Sequence, residues 1–134
     1  MRHLFAAIAF LSLIAACATE AETPPPVLAG DLVLTKRLTV QERCERGTGD
    51  YQDIREGAEV LVRDGAGAVV GIGSLELGET GDHPEGERCF FGFTAQLARE
   101  ADFYTVEIAG RKGPHFSHAG LVESGWKVTL EPGR

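Results

Sequence analysis

Residues 89–97 read Cys-Phe-Phe-Gly-Phe-Thr-Ala-Gln-Leu. Cys89, Phe91, Phe93, Ala95 and Leu97 occupy alternate positions, and Phe90 lies on the other face. A period of two predicts a β-strand with one buried face. The same reading extends outward. Phe103 to Ala109 alternates through Tyr104, Val106 and Ile108. Ala58 to Arg63 and Ala68 to Leu77 read as two strands joined by Asp64-Gly65-Ala66-Gly67, a hairpin signal. Gly71 and Gly73 in the second of these imply a bulge or close packing. Asp31 to Val40 reads as a further strand, with Leu32, Leu34, Leu38 and Val40 on one face and Val33, Thr35, Arg37 and Thr39 on the other. Lys36 interrupts the inner set, as an inward charge on an edge strand does. Trp126 to Glu131 closes the chain, with Trp126, Val128 and Leu130 inward.

The intervening segments read as loops. Glu42 to Gly57 is glycine-rich, Gly78 to Glu87 is acidic and exposed, and Gly110 to Gly113 is a turn before a short strand at Phe116. Ser117 reads as a helix N-cap and Gly125 as the left-handed residue that ends that helix. No long helices separate the strands, so a parallel α/β sheet is excluded. The expected fold is all-β: an antiparallel β-sandwich of six to seven strands with one short helix over residues 31–134.

The N-terminus carries an address. Arg2 and His3 precede a run of 13 residues, Leu4 to Ala16, that is apolar except at Ser12. A membrane span needs about 20 residues, whereas 13 suits the core of a secretory signal. Ile14-Ala15-Ala16-Cys17 matches a bacterial lipobox, so residues 1–16 read as a lipoprotein signal peptide and Cys17 as the lipidated residue. Ala18-Thr19-Glu20 follow, with no Asp after Cys17, which by resemblance to known sorting favours the outer membrane in Gram-negative hosts. Ala16-Cys17-Ala18 also reads as a plain secretory cleavage site, and cleavage there would remove the lipid site. Two or more acyl chains anchor a protein stably, where one does not. Residues 17–30, with Glu20, Glu22 and Pro24-Pro25-Pro26, read as a lipidated start and a tether. At roughly 3 Å per residue the segment spans some 30–40 Å. The expected location is the cell envelope, on the extracytoplasmic side of a membrane.

Cysteine usage agrees with export. Cys17 belongs to the signal, leaving Cys44 and Cys89 as an even pair in an oxidising compartment. They are expected to form a disulfide worth at most about 4 kcal/mol in loop-closure entropy. No CxxC is present, so thioredoxin-like redox chemistry is not expected.

The net charge is −7, and −8 once residues 1–16 are removed with Arg2. That sign opposes binding to nucleic acid or, by charge alone, to an anionic membrane surface. The chain has no G-x-S-x-G, no Walker A and no G-x-G-x-x-G before a helix. Ser74 in Gly71-Ile72-Gly73-Ser74-Leu75 lacks a nucleophile elbow. His115 and His118 lack a third partner for zinc, and His83 reads as a loop residue. The acidic loops, with Asp50 and Asp53 flanking Tyr51 and with Glu79, Asp82, Glu85 and Glu87, offer oxygens of the kind calcium takes. Asp50 and Asp53 are the candidate calcium ligands, set against solvated loops that keep a surface protein soluble. Asp53 alternatively caps the turn at Ile54 to Gly57. Tyr51, Phe90 and Phe116 read either as a recognition patch or as the edge of a small core.

Cys44, Gly49-Asp50-Tyr51-Gln52-Asp53-Ile54 and Val60-Leu61-Val62-Arg63-Asp64-Gly65-Ala66-Gly67 resemble a group of small bacterial, largely actinobacterial, lipoproteins. Cys89-Phe90-Phe91-Gly92-Phe93, Asp102 to Ile108 and Gly125 to Leu130 continue the likeness, which spans roughly residues 31–131. Ten Arg against three Lys suits a high-GC genome. The resemblance implies location and a disulfide-linked β-domain, and no activity. A looser likeness to transthyretin-like and carboxypeptidase-regulatory sandwiches implies a non-catalytic module. The expected function is therefore a binding or interaction module for an envelope protein or ligand. The alternatives are a structural accessory of an envelope complex and a loop-based calcium-binding domain.

Overall fold

The computed structural model describes residues 23–39 and 43–132. The expected signal peptide and Cys17 lie outside the described residues. Eight strands form one sheet: β1 (Val27–Thr35), β2 (Glu59–Asp64), β3 (Val69–Leu75), β4 (Glu79–Gly81), β5 (Arg88–Leu97), β6 (Phe103–Ile108), β7 (Arg111–Ser117) and β8 (Lys127–Leu130). A short helix α1 (His118–Glu123) lies between the last two. The chain is all-β, as the alternation requires.

β5 is the axis of the sheet. Its inward side chains Cys89, Phe91, Phe93, Ala95 and Leu97 are all buried. One edge pairs with β1 from Arg88 to Gln96. The other pairs with β3 along its second half and with β4 at its start. From β3 the order continues through β2 and β6 to β7, and from β1 to β8. Every pairing is antiparallel except β1 with β8.

Two layers were expected, and one continuous sheet is present. It curls into a near-barrel, with β7 and β8 at the two ends of its strand order and β4 set beside β5. Alternation reports which face is buried, and a barrel and a sandwich bury alternate residues alike. Tyr104, Val106 and Ile108 of β6 and Val60 and Val62 of β2 fill the interior with the β5 row. Leu121 of α1 closes the end where β7 finishes and β8 begins. Ile54 and Cys44, in the segment 43–58, close the opposite end.

Three element boundaries differ from expectation. β1 runs from Val27 to Thr35, not from Asp31 to Val40. Its chain turns away in a 3-10 turn at Lys36–Leu38, where the Thr39 hydroxyl and amide both donate to the Lys36 carbonyl. Lys36 therefore reaches Glu87 at 3.0 Å instead of facing the core, and Val40 lies outside the described residues. The acidic segment expected as a loop contains β4, held by backbone pairing to Arg88, Cys89 and Phe90. Arg111 to Gly113 belongs to a strand and not to a turn. The turn is shorter, with Ala109 (φ 48°) and Gly110 (φ 78°) joining the paired residues Ile108 and Arg111. Two consecutive positive φ values define the tight hairpin whose twist matches its strands.

The capping signals hold. The Ser117 hydroxyl accepts the Gly120 amide at 3.0 Å. Gly125 is left-handed at φ 67°, and its amide and that of Trp126 donate back to Val122 and Leu121. That double bond is a Schellman closure of the helix. Trp126 is thereby drawn out of β8, and its ring packs edge-on against Tyr104 and His118. The Asp64 carboxylate takes the amides of Ala66 and Ala68 and the Arg99 guanidinium, which fixes the β2–β3 hairpin. The irregularity expected near Gly71 and Gly73 is present on β3: Gly71 pairs with Val62 and Val69 with Arg63, which leaves Val70 as the extra residue, and both glycines pack closely against β5.

Cys44 and Cys89 form the expected disulfide, with Cα atoms 5.2 Å apart. It ties the segment 43–58 to the first turn of β5. Replacing both cysteines by alanine is expected to lower the unfolding free energy by about 2–4 kcal/mol. Urea denaturation measures this, and an unchanged midpoint contradicts it.

Candidate functional site

The two end strands of the sheet, β7 and β8, do not pair with one another, and a cavity of about 350 Å³ lies between them. Its floor is aliphatic: Leu32, Ile54, Val106, Ile108 and Leu130. Pro114, Pro132 and Gly113 shape its sides, and Tyr51, Asp50, Arg111, Lys112 and Glu131 ring its mouth.

The seam is a product of local sequence on β7. Thr105 pairs with His115 and Glu107 with Lys112, so β7 carries one extra residue opposite Val106. Gly113 and Pro114 form that bulge. A side chain at position 113 would begin 2.8 Å from the Val106 carbonyl and 3.9 Å from Leu130 Cδ2. Glycine there leaves the cavity open. Proline lacks an amide hydrogen, and a bulge twists an edge away from regular pairing. The seam is therefore a poor acceptor for an added strand, and it stays a cleft.

The segment 43–58 roofs the mouth as a strap. Backbone bonds within it and to its neighbours hold it: Gly47 donates to Ile54 at 2.8 Å, Thr48 to Leu38 at 2.7 Å and Gly57 to Leu75 at 2.8 Å. Arg111, the first residue after the hairpin turn, reaches up to it. The guanidinium binds both Asp53 oxygens, each at 2.7 Å, and donates to the Asp50 carbonyl. It also lies 5.4 Å from the centre of the Tyr51 ring. This two-pronged ion pair holds the Asp53 carboxyl below its ordinary range, and Asp53 in turn raises Arg111.

The other expected site residues fall elsewhere. Asp50 and Asp53 share the strap, and the Asp53 carboxylate is engaged by Arg111. Calcium at Asp53 would have to displace that guanidinium. Among the described residues no group of three or more His, Cys, Asp or Glu side chains is placed to hold a metal ion. His115 meets the Thr105 hydroxyl at 2.7 Å, and His118 packs on Trp126 and Tyr104. His83 meets Glu131 at 3.1 Å. Of the acidic-loop residues, Glu87 pairs with Lys36 and Glu85 with Arg88. Tyr51 and Phe116 are part-buried against the core.

Arg111 and Lys112 were missed in the sequence because residues 110–113 read as a turn, and Pro114 was missed because no strand was read there; Ile54 was missed because its segment read as a loop. The usable signal was Ala109-Gly110 as a complete two-residue loop. It restarts a strand at Arg111 and leaves proline on an edge. Comparison with family models, curated proteins and solved structures finds no match for this chain.

The ion pair has a testable pH signature. The folded pKa of Asp53 lies below its unfolded value of about 3.9. Its ionised form therefore favours the folded chain above that value, and the contribution is lost as pH falls through the lowered folded pKa. Both partners are solvent-accessible, so the contribution is under about 1 kcal/mol. Arg111→Ala is expected to raise the Asp53 pKa toward the ordinary carboxylate range in an NMR titration. An unchanged titration curve contradicts the pairing.

Proposed function

We propose that this chain is a lipid-anchored lipoprotein of the bacterial cell envelope, held on the extracytoplasmic side by an acylated Cys17. Its near-barrel is a non-catalytic binding module that presents the seam cleft to a ligand. The lipobox Ile14-Ala15-Ala16-Cys17 supports the anchor. The Cys44–Cys89 disulfide suits an exported, oxidising setting. No helix of the described residues is long and apolar enough to cross a membrane.

One observation carries the binding reading. The interior is packed with buried side chains throughout, yet the seam holds a cavity with an aliphatic floor and a polar mouth. Its volume is at the lower end of the range for ligand pockets. An apolar pocket with few convergent polar groups is suited to recognition. Ser74 stands exposed on β3 and outside this lining, so it supplies no nucleophile there.

Two measurements test the proposal. The intact mass of protein from the membrane fraction is expected to equal Cys17 to Arg134 plus acyl groups. A soluble mass beginning at Thr19 overturns the anchor. A photoreactive amino acid at Pro114, on the cleft wall, is expected to yield a discrete adduct when cells are irradiated. The same group at exposed Ile72 is expected to yield none. Equal labelling at both positions, or none at either, overturns the cleft as the binding site.

A further inference from the structure

Exposed apolar side chains are unevenly distributed over the barrel. Among the described residues six large ones are exposed: Val27, Val69, Ile72, Leu77, Phe103 and Val122. Four of the six gather at one end. β1, β3 and β6 run in the same direction, and Val27, Val69 and Phe103 are their first residues. Val122 is on α1, which closes that end, and the first amide of α1, at His118, donates to the Asp102 carbonyl next to Phe103. Ile72 stands in mid-strand. Leu77 follows β3 at the strap end, next to Gly78, which packs against the Cys44 carbonyl. Single exposed apolar residues are ordinary, whereas a group of them at one end marks a contact surface.

The same end holds the chain that leads to Cys17. The Gln96 side-chain amide donates to the Pro25 carbonyl at 3.1 Å, and the Leu97 amide donates to the Pro26 carbonyl at 3.3 Å. Both bonds fasten the entry to β1 onto the last residues of β5. Cys17 lies eight residues before Pro25, so it can stand no more than about 29 Å from this end. A lipid on Cys17 therefore brings a bilayer beside the apolar end and not the strap end. A short tether raises the effective concentration of what it links to the order of millimolar, so a modest apolar surface suffices to dock.

We propose that the α1 end of the barrel docks on the bilayer that holds the acylated Cys17, with Val27, Val69, Phe103 and Val122 in the lipid interface. This goes beyond the binding-module reading and rests on its anchor. The cleft mouth, at the strap end with Tyr51 and Arg111, then faces away from the lipid. Arg99 at the docking end is paired with Asp64, while Glu100, Asp102, Glu123 and Lys127 are exposed around it. Three acidic groups against one lysine oppose attraction to anionic lipid. The contact is therefore apolar burial among zwitterionic headgroups.

The test uses residues 17–134 with the Cys44–Cys89 bond intact, so that Cys17 carries the free thiol. The thiol is coupled to a maleimide phospholipid in phosphatidylcholine nanodiscs, one chain per disc. Nitroxide-labelled phosphatidylcholine is added while NMR follows methyl and ring signals. Loss of the Val27, Val69, Phe103 and Val122 signals is expected, with those of Leu77 and Ile108 retained. Phe103→Thr combined with Val122→Gln, changes at two exposed side chains, is expected to restore the Val69 signals. The proposal is overturned by equal broadening at both ends, by broadening strongest at Leu77, or by a double variant that still loses Val69. Loss at Val122 only with two chains per disc also overturns it and makes a second copy the occupant. The coupling is chemical, so these outcomes do not depend on acylation in the cell. A native mass beginning at Thr19 removes the anchor and this proposal with it. Equal broadening removes the docking and leaves the anchor standing.

Discussion

Pro114 has no amide hydrogen, and it sits in a bulge on the last strand before the sheet would close. From that constraint the rest of the architecture follows. β7 cannot offer a regular outer edge, so β8 pairs only with β1 and the seam remains. The chain passes from β7 to β8 through α1, which plugs one end of the barrel with Leu121. The other end is left to the strap, because no strand turns inward there. The cleft is the gap these arrangements leave between an edge that cannot pair and a roof that crosses above it.

The strap is held by two contacts of different character. The Cys44–Cys89 bond fixes its beginning and is indifferent to salt. The Arg111–Asp53 pair fixes its middle and is exposed, so ionic strength weakens it. Tyr51 lies between them, at the cleft mouth. The two fastenings of the roof therefore differ in strength, and the weaker one is over the cavity. That asymmetry would let the mouth yield to a ligand while the barrel itself stays closed.

The buried rows of β5 and β6 were legible because their inward side chains recur at every second position, and β2 was legible as a strand from its apolar run beside the hairpin signal. The disulfide was legible from cysteine count and compartment, and α1 from Ser117 and Gly125. The sheet order was not legible. Pairing of β1 with β8 joins residues near opposite ends of the domain, and side-chain period carries no record of such partners. β4 was hidden because it buries no apolar side chain and is paired through its backbone, beneath an acidic composition. β7 was hidden because proline and glycine usually mark turns, and an edge strand is the exception that tolerates both. The cleft was lost with it, since Arg111, Lys112, Gly113 and Pro114 all belong to that strand. Asp53 was legible as a polar loop residue, but its partner lies 58 positions away.

Hydrogen exchange of individual backbone amides tests the open seam most directly. The Ala29 amide donates to the Trp126 carbonyl, so alternation turns the Thr129 amide away from β1. The hairpin pair Ile108 and Arg111 likewise turns the Lys112 amide away from β6. An open seam predicts fast exchange at Lys112 and Thr129, with slow exchange at Phe91, Phe93 and Val106. Protection of Lys112 and Thr129 equal to that of Phe93 would mean that β7 and β8 are joined, and would contradict the account.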